Sequence, residues 1–192
     1  DFLLKEKSAE LARLCAAKLS ASEDPKWRQE GLYAAGMAEK AAGNPQQAAV
    51  LLKKALDGNS DPDLACRTAT ALGEALAASG RKDEAVAYFE RNIENPVNKT
   101  AAARARLGLA RILSEKTEST DTAGRYAMSV FILTDDPDTA SEAMILAISL
   151  SLKAGKKDEA RKTFEEFSRK FPHMLEDDDV KRLKEQIEGG AR

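Results

Sequence analysis

Aromatic side chains make up only 5% of this 192-residue chain, and that scarcity excludes more than any motif in it. A β-sandwich or barrel draws on Val, Ile, Thr and aromatics to fill its pleated faces. Here much of the 43% hydrophobic content is alanine, which suits close helix packing instead. Histidine occurs once, at His173, and cysteine twice, at Cys15 and Cys66. A zinc site would need several such ligands together, and these three do not meet in sequence order. A Ser-His-Asp arrangement would have to use His173, and nothing marks a nucleophile elbow. Charge of one sign is lacking too: 30 basic against 32 acidic residues give a net charge of −2. That balance leaves no electrostatic footprint for nucleic acid or anionic lipid. No Gly-rich loop could cradle a phosphate. The longest apolar-rich stretch, residues 143–152, falls well short of the ~20 residues that span a bilayer. We therefore expect no catalytic residue, no cofactor, no metal, no nucleic acid and no direct membrane insertion.

What the chain has is a repeat. A turn glycine is followed five residues later by alanine: Gly43 by Ala48, Gly80 by Ala85, Gly155 by Ala160. A fourth alanine, Ala123, falls between them, with Glu118 in the glycine's place. The four alanines are spaced 37, 38 and 37 residues apart. A period of this size marks a solenoid or array of supersecondary units.

Helix is the only regular structure the pattern supports. Leu11, Leu14, Cys15 and Leu19 share one helical face, as do Leu51, Leu52, Ala55 and Leu56, and Leu72, Ala75, Leu76 and Ala78. Five of six prolines follow Asp or Asn: Asp24-Pro25, Asn44-Pro45, Asp61-Pro62, Asn95-Pro96 and Asp136-Pro137. Asp and Asn accept bonds from the free amides of a first helical turn, and proline loses nothing at the next position. These pairs mark helix starts, Asn95-Pro96 a residue or two early. The spacing predicts ten helices, over 3–20, 26–42, 45–57, 62–79, 81–94, 98–115, 119–134, 137–154, 156–171 and 175–188. Short loops between them make successive helices antiparallel neighbours.

Over residues 25–172 these pairs resemble tetratricopeptide repeats. Leu32 with Gly36, Ala69 with Leu72-Gly73, and Arg104 with Leu107-Gly108 occupy the bulky and small places of the first helix. In the fourth pair Met144 and Ala147 precede Ile148, where glycine is wanted. In the second helices Ala48, Leu52 and Ala55 match fully; Ala85 and Phe89 match with Asn92 departing; Ala123 and Ala127 match loosely. Ala160, Phe164 and Pro172 match, with Phe167 departing. Gly80–Pro96 and Gly155–Pro172 look most like repeats of bacterial envelope and assembly-factor proteins. The resemblance implies an all-α fold: a right-handed α-solenoid of about four antiparallel helix pairs, residues 26–60, 62–96, 98–135 and 137–172, with an extra helix at each end, 3–20 and 175–188. It is read as a single domain over 1–192. The chain opens at Asp1, and its first helix has no partner before it. We expect a fragment of a longer protein, with the compartment open between cytoplasm and bacterial periplasm.

The family lines a concave groove with its first helices. Carried onto this chain, that gives Glu30, Tyr33, Met37 and Lys40 from the first pair and Arg67, Thr70 and Glu74 from the second. The third gives Arg106, Leu109 and Ile112, the fourth Glu142, Ile145, Ser149 and Lys153. Leu109, Ile112 and Ile145 are equally suited to packing against neighbouring helices. The family's Lys–Asn clamp for a terminal carboxylate has no counterpart in this set. The acidic run Glu176-Asp177-Asp178-Asp179 lacks the alternating ligands and glycine of a calcium loop and suits the start of the last helix. His173 is expected in a solvated turn, and Cys15 and Cys66 as free, buried thiols. The functional expectation is a non-enzymatic scaffold that binds a peptide, helix or partner protein. The alternative is a structural spacer or self-association module of a larger, envelope-associated polypeptide.

The repeat phase itself is testable. If Ala85 sits where two helix axes approach, Ala85→Leu overpacks the contact and costs ~1–3 kcal/mol. Hydrogen exchange should then lose protection first around residues 73–92, because repeats couple to their neighbours. Uniform loss along the chain, or none, would contradict the phase.

Overall fold

The computed structural model describes residues 13–189. Within them α1 covers 13–20. It is followed by α2 (Pro25–Ala41), α3 (Pro45–Leu56), α4 (Pro62–Ala78), α5 (Lys82–Glu94) and α6 (Lys99–Ser114). Then come α7 (Thr120–Leu133), α8 (Pro137–Lys153), α9 (Lys157–Lys170) and α10 (Asp178–Glu188). The described residues include no strand. Residues 3–12 of the expected first helix lie outside the described residues.

The starts follow the Asx-Pro logic where the side chain can reach. Asp24 accepts from the Lys26 amide, Asp61 from the Asp63 and Leu64 amides, and Asp136 from the Thr139 amide. Asn44 makes no such bond, and Pro45 alone opens α3. Asn95-Pro96 lies further upstream than expected: Asn98 Oδ1 accepts from the Ala101 amide and α6 starts at Lys99. Gly43, Gly80 and Gly155 end first helices with φ of 77°, 85° and 73°, the left-handed conformation that glycine adopts without penalty. The third pair turns through a 3₁₀ segment, Thr117–Ser119, and no described non-glycine residue has positive φ, which is why Glu118 is tolerated there. The last helix starts three residues later than the expected 175, because Pro172 opens a second 3₁₀ turn, Pro172–Met174.

The chain divides into two compact units, Asp1–Ala105 and Arg106–Arg192, and the division falls inside α6. In the first, α2 packs on α3, α3 on α4 and α4 on α5, with α2 also touching α4. In the second, α7 packs on α8 and α8 on α9, and α10 closes against both α8 and α9. Helices thus pack on their sequence neighbours and on the next helix but one, as in a helical-repeat solenoid.

The repeat alanines Ala48, Ala85, Ala123 and Ala160 are all fully buried. Opposite them, the first helices supply a ladder of small residues. A Cβ on Gly36 would lie 2.5 Å from Leu52 Cγ, and one on Gly73 would lie 2.6 Å from Phe89 Cε1. In the third pair the residue that clusters with Ala127 is Ala110, not the expected Gly108. Ala147 joins the same cluster. Gly36, Gly73, Ala110 and Ala147 are 37 residues apart at each step, so Ile148 is no departure; it is core.

Phe164 is only half-buried, and Phe167, three residues on, fills the core of the fourth pair. Its ring centroid lies 5.3 Å from that of Phe171 and 6.2 Å from that of Phe164. Two expectations at the start of the chain need correction. Cys15 and Leu14 are exposed, and the buried face of α1 is the one carrying Ala16. Ala16 lies ~100° round the helix from Cys15, and a Cβ on Gly31 of α2 would meet the backbone of Leu19 and Ser20. Cys66 is buried as expected.

Glycine-to-alanine substitutions should therefore split by sign. At Gly124, inside α7, an added Cβ meets nothing within 4 Å. Gly124→Ala should raise stability by about 0.4–1 kcal/mol, chiefly by restricting the unfolded chain. Gly73→Ala should lower it by about 1–3 kcal/mol through overpacking against Phe89. Urea unfolding of the two variants beside the parent measures both.

Candidate functional site

In the first unit, residues three or four apart on α2, α4 and α6 converge on one cleft of about 200 Å³. Tyr33 and Met37 come from α2, Arg67, Thr70, Ala71 and Glu74 from α4, and Asn98, Thr100, Ala101 and Arg104 from the start of α6. Five of the seven groove residues expected here line it. Glu30 and Lys40 stand beside it, each ion-paired to a lining residue.

Two polar clusters bound the cleft. At one end the Arg67 guanidinium joins three groups: its Nε donates to Asp63 Oδ2 at 2.9 Å, its Nη2 to Glu30 Oε1 at 3.3 Å, and its Cζ stands 5.1 Å from the Tyr33 ring centroid. Asn98 Nδ2 donates to the other Asp63 oxygen at 2.6 Å. That bond, with Arg67 beside it, holds the Asp63 carboxyl below its ordinary value although partial desolvation works the other way. Burial disfavours the Arg67 charge, but Asp63 and Glu30 outweigh it and raise its pKa. At the other end Glu74, its side chain 17% exposed, accepts from Lys40 Nζ and from Arg104 Nε at 3.0 Å. One carboxylate of α4 thus ties a cation of α2 to one of α6.

Beneath the cleft lies a neutral network. Asn92 of α5, buried, donates through Nδ2 to the Cys66 carbonyl at 2.8 Å and to Thr70 Oγ1 at 2.7 Å. Thr70 Oγ1 in turn donates to the Ala101 carbonyl at 3.1 Å. The residue that departs from the repeat pattern is thereby satisfied, as a buried amide must be.

In the second unit Ile145, Ser149 and Lys153 of α8 line a separate cleft of about 650 Å³ with Leu152 and four residues of α10: Asp179, Arg182, Leu183 and Gln186. Ser149 Oγ donates to the Ile145 carbonyl at 2.9 Å, and Lys153 Nζ to the Ser114 carbonyl at 2.8 Å. Glu142, exposed, pairs with Arg111 at 2.5 Å and lies outside the cleft. Arg106 and Ile112 are half-buried outside it too, and Leu109 is buried, with little surface to offer. Sequence reasoning missed Asn98, Ala101 and Arg104 in the first cleft and the α10 residues in the second. Arg104 stands 30 residues beyond Glu74, off the 37-residue step.

Among the described residues no group of three His, Cys, Asp or Glu side chains is placed to hold a metal ion, and no helix is long and apolar enough to cross a membrane. His173 is exposed in the turn before α10. Residues 142–173, the later part of α8 through all of α9 to the following turn, match the tetratricopeptide repeat family. The chain is tetratricopeptide-repeat-like. No curated protein matches it. Tetratricopeptide repeats act in general as protein–protein interaction scaffolds, typically without catalysis, and bind protein partners.

The Asp63 cluster gives a pH signature. A carboxyl whose folded pKa is depressed adds stability that is present above its unfolded pKa and lost as pH falls through the folded one. For this half-exposed group the contribution is at most ~1 kcal/mol. Asp63→Asn should remove that part of the acid dependence, so that parent and variant converge in urea stability as pH drops below the carboxylate range. A constant gap between them down to the acid limit would refute the assignment.

Proposed function

We propose that this tetratricopeptide-repeat-like chain is a non-enzymatic scaffold that binds a peptide, helix or partner protein on the faces lined by its first helices, with residues 1–192 serving as one repeat domain. The observation that carries the reading is the first-unit cleft: three first helices contribute to one recess bounded by polar clusters and open between them. Its charges are engaged with each other, since Glu74 meets Lys40 and Arg104, and Arg67 meets Asp63 and Glu30. Such a surface favours an uncharged segment whose apolar side chain enters beside Tyr33, Met37 and Ala71, with Thr70 offering a hydroxyl below. Charged segments would have to break existing pairs before forming new ones. The α8–α10 cleft, with Ile145, Leu152 and Leu183 among Ser149 and Gln186, supports the same mode in the second unit.

A photo-crosslinking amino acid placed at Met37 or at Ser149 should yield adducts with the partner in cells of the source organism. The same group at Val50, exposed on α3 and lining neither cleft, should yield far fewer. Equal capture from all three positions would reject the first-helix faces as the binding surface.

A further inference from the structure

A separate recess lies between the second helices of the second unit. Its volume is about 330 Å³; α7 and α9 form its walls, and Ala147, Leu150 and Ser151 of α8 form its floor. Gly124 of α7 stands on one wall. Glycine inside a helix is destabilising relative to alanine, so its presence there calls for a reason. Gly36 and Gly73 have theirs in Leu52 and Phe89, and Gly43, Gly80 and Gly155 have theirs in a positive φ. Gly124 has neither: its φ is not positive, and an added Cβ would meet nothing within 4 Å. In the first pair the residue at the same place, after the repeat alanine, is Ala49, and it is buried. At Gly124 the described residues leave the space unfilled, and glycine is the residue that lets another molecule come close to a helix backbone.

The rim sets the chemistry of what fits. Arg125 and Asp121 come from α7, and Lys156, Glu159 and Lys162 come from α9 and the residue before it. Asp121 and Lys156 pair with each other at 2.8 Å and bridge the two walls. Arg125 reaches only a hydroxyl, its Nη2 standing 3.5 Å from Thr122 Oγ1. Among the described residues neither Arg125 nor Lys162 has an ion pair. Glu159 stands three residues from both Lys156 and Lys162 on the same helix face, so their charge offsets its own. The recess is left with one surplus positive charge, a cation without an ion pair on each wall, and the apolar surface of Met128 and Leu150 between them. We propose that it docks a segment of a partner protein in which an acidic side chain stands beside an apolar one. The apolar side chain enters over Gly124 against Met128 and Leu150, and the carboxylate meets Arg125 and Lys162 at the rim. One carboxylate matches the one surplus charge. A phosphate backbone or an acidic tract would also face Asp121 and Glu159, and a basic segment would face three cations. This recess is built on second helices, so the reading stands apart from that of the first-helix clefts, and either can fail alone.

Chemical-shift titration of the 192-residue protein with two blocked peptides, acetyl-Ala-Leu-Glu-Ala-amide and acetyl-Ala-Glu-Leu-Ala-amide, tests it. The expected result, for at least one of them, is saturable shifts centred on Gly124, Met128 and Leu150 in the millimolar range. The same peptide with Gln for Glu should bind about two- to fivefold more weakly. Arg125→Ala and Lys162→Ala, both at exposed positions, should each weaken binding by a similar factor. Gly124→Ala should weaken it about fivefold or more by filling the space, while the folded protein becomes more stable. A glycine with a merely structural role would not give that pair of effects. No saturable shift at these residues with either peptide would overturn the proposal, as would a Gln peptide that binds equally well or a Gly124→Ala variant that binds like the parent. Tighter binding of acetyl-Ala-Leu with a free C-terminus would reject a side-chain carboxylate as the group recognised.

Discussion

Everything in this fold hangs on how closely the first and second helices of each pair can approach. Gly36 and Gly73 leave no room for even one methyl against Leu52 and Phe89, and Ala110 and Ala147 continue the series at the same step. Dispersion at such contacts falls steeply with a fraction of an ångström of separation, so axis distance sets the packing. Once it is fixed, the second-helix alanines are sealed, and the larger residue at the next turn either sinks fully or is displaced. Leu52 and Phe89 sink. Phe164 does not, and Phe167 is the residue buried there. The scarcity of aromatic residues follows from the same constraint, for thin interfaces have few places for rings.

The charged residues of the first helices answer to a different rule. They sit where neighbouring pairs, rather than the helices of one pair, come side by side. Lys40, Arg67, Glu74 and Arg111 each find a counterion on a neighbouring first helix. Glu74 does so in both directions at once. The clefts are therefore framed by polar contacts that belong to the stack. What is left for a partner is the space between them, with its methionine, its alanines and one engaged threonine.

Much of this was legible in the chain. Turn glycines, Asp-Pro starts and the alanine period depend on residues close in sequence, and local chemistry is enough to read them. The small-residue ladder was legible only in part. Gly108 is the conspicuous residue in the third pair, but Ala110 keeps the step, and alanine is too common here to stand out. The start of α10 was misjudged because proline can open a 3₁₀ turn as readily as a helix. The face of α1 was misjudged because leucine at position 14 looks like core, whereas Ala16 is the residue buried there. The cleft residues on α6 and α10, and the pairing of Asn92, depend on the rotation of one helix relative to another. No spacing within a single helix records that rotation.

The link from Lys40 through Glu74 to Arg104 bears on how such a chain can change its length. Repeat arrays gain and lose units by duplication and deletion, which a uniform set of units would tolerate. Along this one row the signs alternate, Lys40 then Glu74 then Arg104. Removing the unit that carries Glu74 would bring the cation of α2 beside the cation of α6, with nothing between them. Copying it in tandem would set carboxylate against carboxylate. The row of charges thus disfavours losing or copying this one unit, by the ~0–1 kcal/mol that partly exposed ion pairs contribute.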